Sequence, residues 1–131
     1  MKRLISIFLV FATVLTLTAA PAQAEEETAE LSYTYGVLTY EINADNTITI
    51  TDCDRSATDV TIPAEIDGRS VTSIGEFAFD GCSSLISVDI SDSITNIEGY
   101  AFAGCSSLKN IELPDNLEKV SFAIFHSCTS L

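Results

Sequence analysis

The segment Ala78-Phe79-Asp80-Gly81-Cys82-Ser83-Ser84-Leu85 returns as Ala101-Phe102-Ala103-Gly104-Cys105-Ser106-Ser107-Leu108, and again, more loosely, as Ile124-Phe125-His126-Ser127-Cys128-Thr129-Ser130-Leu131. The step from Phe79 to Phe102 equals the step from Phe102 to Phe125, so the copies recur at one fixed period. A fixed period of roughly 20 to 50 residues is the mark of a repeat solenoid, in which each coil buries its apolar face only against its neighbours. Such a stack has no single deep cleft at its centre. It offers long regular faces suited to binding.

The interior of each coil follows the same register. Asp59-Val60-Thr61-Ile62-Pro63, Ser87-Val88-Asp89-Ile90-Ser91 and Asn110-Ile111-Glu112-Leu113-Pro114 share one in-out alternation. They are expected to lie side by side as a parallel sheet with strands roughly 4.8 Å apart. Val60, Val88 and Ile111 would form one buried column, and Ile62, Ile90 and Leu113 a second. The step from Asp59 to Ser87 is longer than that from Ser87 to Asn110, and Asp67-Gly68-Arg69-Ser70 is the natural seat for the extra residues, because Asp-Gly marks a turn. On the return side Val71, Ile94 and Leu117 align, as do Ile74, Ile97 and Val120, and Phe79, Phe102 and Phe125. The return is too short for a long helix. A short strand and then one helical or 3₁₀ turn around Phe77-Ala78-Phe79 are expected. The phenylalanine column reads as core filling rather than as a ligand platform.

Ahead of the coils, Leu38, Tyr40 and Ile42 alternate with polar residues, Asn43-Ala44-Asp45-Asn46 is a turn cluster, and Ile48 and Ile50 alternate again. This predicts a β-hairpin that caps the solenoid over residues 37–58 and keeps its apolar columns from an open end. Residues 25–36, which open with Glu25-Glu26-Glu27, are expected to be an acidic mobile lead-in. Residues 1–24 read as a secretory signal peptide, with Lys2 and Arg3, an apolar run from Leu4 to Leu17 and the small-residue site Ala22-Gln23-Ala24. Cleavage is expected after Ala24. The alternative, a retained anchor, is disfavoured because the apolar run is short for a span of roughly 20 residues. The expected location is therefore secreted or cell-surface.

The strand pattern Leu85-x-x-Val88-x-Ile90 and Leu108-x-x-Ile111-x-Leu113 is that of a leucine-rich repeat. The segment after the first of these strands, Ile97-x-x-x-Ala101-Phe102-x-x-Cys105-Ser106-Ser107-Leu108, resembles the BspA-like type. The lead-in Val60-Thr61-Ile62-Pro63, then Asp67-Gly68-Arg69-Ser70-Val71-Thr72-Ser73-Ile74-Gly75, resembles that family's first coil. The resemblance covers about residues 37–131, with the repeats over 59–131 and the last coil incomplete. It departs at Ile124, where the other coils have Ala, and at Ser127, where they have Gly. The resemblance implies a mainly β leucine-rich-repeat solenoid of short parallel strands. It also implies a secreted or cell-surface protein that binds host proteins or other cells, with no catalysis by the repeats themselves.

Charge narrows the partners further. Without Lys2 and Arg3, four basic residues face 19 acidic ones, and the net charge moves from -13 to -15. Such a surface repels nucleic acid and anionic membranes. Four cysteines in an exported chain allow three disulfide pairings. Cys82, Cys105 and Cys128 share one position in successive coils, however, so their side chains point the same way and suit a disulfide poorly. They are expected to be a column of reduced, buried thiols, with Cys53 a free thiol outside the register. A zinc site is disfavoured for want of a CxxC pair or a tetrahedral set. Asp52-Cys53-Asp54 lacks the Gly and terminal Glu of a calcium loop. His126, the one histidine, stands where the other coils carry Asp80 and Ala103, and reads as a surface residue.

No cofactor is expected, and the chain is not expected to be an enzyme. Asp89 and Glu112 should sit on adjacent rungs ~5 Å apart, near the separation of retaining glycosidase acids, but a flat solvated sheet lacks the burial that raises one pKa. The candidate binding face is the outward side of the strands, carried by Asp59, Thr61, Ser87, Asp89, Ser91, Asn110 and Glu112, with a protein partner bearing a basic patch. The alternative class is the recognition module of a larger exported enzyme such as a hydrolase. A purely structural spacer is a third reading. The strand position after Leu131 has no counterpart in the sequence, so the last full strand is expected to be an open edge inviting self-association.

Overall fold

The computed structural model describes residues 31–131. The signal-peptide reading of residues 1–24 and the lead-in as far as residue 30 lie outside the described residues.

The cap begins earlier than residue 37. Strand β1, Tyr33–Tyr35, pairs antiparallel with β2, Leu38–Ile42, through a turn in which Gly36 takes a φ of 60°. Tyr33 stacks on Tyr40 with ring centroids 5.5 Å apart. The alternation Tyr33-Thr34-Tyr35 is that of a strand, and it corrects the assignment of residues 31–36 to a mobile lead-in. The expected hairpin comes next. β2 pairs antiparallel with β3, Ile48–Cys53, across a turn closed by the Asn43 N–H on the Thr47 carbonyl at 2.8 Å. Leu38, Tyr40, Ile48, Ile50 and Cys53 are all buried in the core.

Two sheets form the body. One is parallel throughout: β4, Asp59–Ile62, then β7, Ser87–Ile90, then β9, Asn110–Ile111, with Val60 opposite Val88 and Val88 opposite Ile111. The other holds the cap and the return strands β6, Arg69–Ile74, β8, Asn96–Ile97, and β10, Lys119–Val120, in the order β1-β2-β3-β6-β8-β10. β3 joins β6 in parallel, so the cap continues the stack rather than merely covering it. Gly75 allows this join. Its N–H donates to the Ile50 carbonyl at 2.8 Å, and a Cβ at this position would lie 3.1 Å from that same oxygen.

The extra residues of the first coil make a two-strand hairpin. β5, Glu65–Ile66, pairs antiparallel with β6 through Asp67 and Gly68, at φ 50° and 76°. Two successive left-handed residues are the signature of the tight hairpin turn that Asp-Gly favours.

After each return strand the chain bends through overlapping hydrogen-bonded turns rather than a continuous 3₁₀ helix. The i→i−3 bonds are present at alternate residues: the N–H groups of Ala78, Asp80 and Cys82 donate to Gly75, Phe77 and Phe79. The intervening N–H groups of Phe77, Phe79 and Gly81 donate instead to the carbonyls of Gly99, Ala101 and Ala103 in the next coil. A continuous helix would use every donor within its own coil. The alternation leaves half of them to bind the neighbour, which satisfies buried backbone groups without a sheet.

Phe79 and Phe102 are fully buried, with ring centroids 4.8 Å apart and planes at 18°, and Phe125 extends the stack at 5.8 Å. Ile62, Val71, Ile74, Ile94 and Ile97 fill the rest of the core. Column positions in the last coil are less buried than expected, among them Ile111 and Cys128, which are only half-buried, and two others that are exposed. Leu113 is 41 % exposed and Val120 49 %, whereas Ile90 and Ile97 one coil earlier are buried. Pro114, expected on the outer face, is buried. Among the described residues no further coil lies against the last one. β9 also ends at Ile111, so strict alternation no longer fixes the direction of Leu113 and Pro114.

Candidate functional site

The parallel sheet places the expected binding residues in rows. Asp59 stands opposite Ser87, and Ser87 opposite Asn110; Thr61 stands opposite Asp89, and Glu112 follows just past the end of β9. The inward partners Val60, Ile62, Val88 and Ile90 are buried, and this fixes the outward direction of the alternate residues. Asp59, Thr61, Asp89, Asn110 and Glu112 are exposed, while Ser87 and Ser91 are half-buried.

These residues line two adjoining open depressions. One, of about 320 Å³, is bordered by Asp59, Thr61, Ser87, Asp89, Asn110 and Glu112. The other, of about 590 Å³, continues past the strand ends to Ser91 and adds Asp92 and Asp115. The structure thus brings all seven expected residues onto one surface. Sequence reasoning missed Asp92 and Asp115. They lie one full repeat apart, so the period itself carried the signal, but they fall in the turn just beyond each strand. With them the surface holds five carboxylates, and no basic residue lines either depression.

One of these acids, Asp59, is held in place. Ser87 Oγ donates to Asp59 Oδ1 at 2.6 Å across the β4-β7 pair. That bond, together with one from the Thr58 side chain, holds the Asp59 carboxyl below its ordinary range. Beside the strands, Ser93 Oγ donates to the Val71 carbonyl at 2.6 Å and ties the turn after β7 to the coil before it. The face therefore presents negative charge from hydrogen-bonded strands and a tied turn. Asp89 and Glu112 stand on its open side. Among the described residues no group of three or more His, Cys, Asp or Glu is placed to hold a metal ion, and no helix is long and apolar enough to cross a membrane.

A second row of side chains runs along the bend. Phe77 stacks on Tyr100 at 5.3 Å with planes at 9°, and Tyr100 meets the edge of Phe122 at 5.3 Å. Phe122 is 70 % exposed. His126 packs edge-on to Tyr100 at 6.0 Å on the exposed bend where the sequence placed it. The Phe77 and Tyr100 rings face one another, so each covers a face that a flat ligand would need.

The cysteine column is longer than the period implies. All four thiols are free, and Cys53 is buried beside Cys82 at the head of the column. The Cys105 thiol donates to the Phe79 carbonyl at 3.1 Å and the Cys128 thiol to the Phe102 carbonyl at 3.1 Å. Each thus uses a thiol to reach a backbone oxygen of the preceding coil.

Comparison with known proteins agrees with this architecture. The family described as BspA type leucine rich repeat region (6 copies) matches residues 51–131. No curated protein matches the chain. Among solved structures, the leucine-rich-repeat protein of T. pallidum is 36 % identical, with a TM-score of 0.71 over 75 % of this chain and 46 % of its own. One from Bacteroides ovatus is 26 % identical, with a TM-score of 0.68 over 75 % of this chain and 27 % of its own. One from Bacteroides capillosus is 30 % identical, with a TM-score of 0.51 over 70 % of this chain and 93 % of its own. The chain spans less than half the length of the first two proteins. Family match, repeat register and parallel-sheet stack agree: the chain belongs to the BspA-type leucine-rich-repeat family.

Proposed function

We propose that the chain is a non-catalytic, secreted or cell-surface adhesion module that binds a protein partner through the β4-β7-β9 face. The observation that carries the reading is the five-carboxylate surface of Asp59, Asp89, Asp92, Glu112 and Asp115, lined by no basic side chain. Opposed charge steers association and suppresses like-charged partners, so the fitting partner carries a basic patch. The fixed rungs reduce the ordering cost that a flexible site would incur on binding. The export signal read over residues 1–24 supports a partner outside the cell.

The test is surface plasmon resonance of the protein against a panel of purified extracellular-matrix and bacterial surface proteins, at rising salt. Binding whose on-rate falls with salt, and which is lost in the double variant Asp89→Lys/Glu112→Lys while its circular dichroism is retained, is the expected result. A partner that binds that variant with unchanged affinity and salt dependence removes the face from consideration.

Taken by themselves, residues 31–131 leave the last coil uncovered, and this supports a second contact, between two copies of that stretch. Leu113, Val120, Phe122 and Leu131 are exposed there beside the unpaired edges of β9 and β10. An edge strand flanked by apolar side chains is a template for pairing with another chain.

A further inference from the structure

The cap is joined to the first coil by a short stretch of parallel pairing, in which Ile48, Thr49 and Ile50 of β3 meet Val71, Ser73 and Ile74 of β6. Just past the end of that stretch lie two thiols. Cys53 closes β3, and Cys82 lies on the bend of the first coil, 29 residues on. Both are buried, at 3 % and 1 % exposure. The Cys82 thiol donates to the Cys53 carbonyl at 4.0 Å and the Cys53 thiol to the Asp54 carbonyl at 3.7 Å, so both thiols lie against the same short stretch of backbone.

This pair differs from the rest of the column in two ways. Cys105 and Cys128 each donate to a carbonyl at 3.1 Å, whereas Cys82 reaches only the carbonyl of Cys53 itself, at 4.0 Å. Cys82, Cys105 and Cys128 are also set by matching turns and point alike. Cys53 is set by a β-strand, and its distance along the chain from Cys82 is longer than the constant step of the repeat. The stacking geometry that opposes a bridge between successive coils does not govern it.

We propose that Cys53 and Cys82 close into a disulfide that staples the cap to the first coil, formed by exchange with a small-molecule disulfide. The Cys82 sulfur attacks one sulfur of the oxidant and releases one small thiol, leaving a mixed disulfide on Cys82. The Cys53 sulfur then attacks the Cys82 sulfur and releases the second. Two protein thiols lose two protons and two electrons, and the oxidant leaves as two thiols. The roles within the pair follow from their surroundings. The neighbouring Cys53 thiol, reinforced by the Arg55 guanidinium, draws the Cys82 thiol down against its burial. The Cys82 thiol beside it, with burial, pushes Cys53 up. The more acidic partner supplies the first thiolate. The loop over the pair, Asp54-Arg55-Ser56, is exposed, so a local opening there admits the oxidant. The bridge stands whether or not the sheet face binds a partner.

The experiment treats the reduced protein with oxidised glutathione at pH 8, quenches with acid, unfolds it and counts thiols, then maps the peptides without reduction. The expected result is a fall from four thiols to two and a single linked Cys53–Cys82 peptide. The link should persist in Cys105→Ser and vanish in Cys53→Ser. The oxidised protein should melt higher by on the order of 10 °C, because the bridge constrains the unfolded chain. Four thiols remaining, a link that involves Cys105 or Cys128, or glutathione left as an adduct on Cys82 without closure would each overturn the proposal.

Discussion

Ser87 donates a 2.6 Å hydrogen bond to Asp59 from the neighbouring strand, and this one bond links the register of the sheet to the charge of its outer face. Because the bond favours the ionised carboxylate, the Asp59 pKa is depressed. A depressed carboxyl contributes stability that is present above its unfolded pKa, about 3.9, and is lost as pH falls through the folded value. Asp59 should therefore titrate below the ordinary aspartate range when followed by NMR. In Ser87→Ala its pKa should rise towards that range. An unchanged Asp59 titration in the variant would mean that the Ser87 bond is not formed in solution.

The phenylalanine ladder should dominate the stability of the coils. Phe102 is packed on both faces, by Phe79 at 4.8 Å and Phe125 at 5.8 Å, and is fully buried. Phe102→Ala should cost ~3–5 kcal/mol, a large part of the total for a domain of this size. Phe125 is half-buried with one stacking neighbour, so Phe125→Ala should cost distinctly less. Urea titration of the two variants measures the order. Equal losses would show that the ladder does not act as a stacked core.

The ladder is legible in the sequence because every coil repeats it, and a constant period reports what one coil does to the next. The same period locates the outward rows that carry Asp89 and Glu112. It cannot report contacts made once. Cys53 joins the cysteine column from outside the repeat, through the fold of the cap. Tyr33–Tyr35 has too short an alternation to stand out from a polar lead-in, and only its pairing with β2 places it in a sheet. The directions expected of Leu113 and Pro114 rest on an alternation that holds only while a strand continues, and β9 stops at Ile111. Asp92 and Asp115 stand at the right spacing but in turns, where no alternation says which way a side chain points.

Ser127 occupies the left-handed position that Gly81 and Gly104 occupy in the other coils, at φ 61° against 71° and 70°. A non-glycine residue there is strained by its Cβ, at roughly 1–2 kcal/mol. Ser127→Gly should therefore raise stability, by ~0.5–1 kcal/mol once the greater freedom of glycine in the unfolded chain is offset. A Gly104→Ser change should destabilise, since it would put a Cβ on backbone held at φ 70°. Thermal melting of both variants gives the signs, and a neutral or lower Tm for Ser127→Gly would count against the strain.

Burial pushes the Cys105 thiol up to about 12, with the neighbouring thiols Cys82 and Cys128 adding to it. A thiol whose folded pKa is raised favours the folded state below its unfolded value of about 8.5, and that contribution is lost as pH rises towards the folded value. The protein should weaken in alkali between those limits, and Cys105→Ala should flatten that part of the profile. Brief iodoacetamide treatment of the native protein at pH 9 should leave Cys105 unmodified by mass mapping. Rapid alkylation would show that the column opens readily.

A protein of residues 25–131 alone, in which the last coil stays uncovered, should self-associate. Ile90, Ile97 and Leu108 are buried between coils, while their successors Leu113, Val120 and Leu131 are 41 %, 49 % and 53 % exposed. Phe122 adds the most exposed large apolar side chain among the described residues, at 70 %. β9 and β10 each form the last strand of their own sheet on this coil, so a second copy can satisfy hydrogen bonds and cover apolar surface at once. Multi-angle light scattering on residues 25–131 should show a mass that rises from monomer to dimer with concentration. The double variant Val120→Lys/Phe122→Lys, both positions being exposed, should remain monomeric with its circular dichroism retained. A protein that stays monomeric at millimolar concentration without those changes would show that this edge does not pair with a copy of itself.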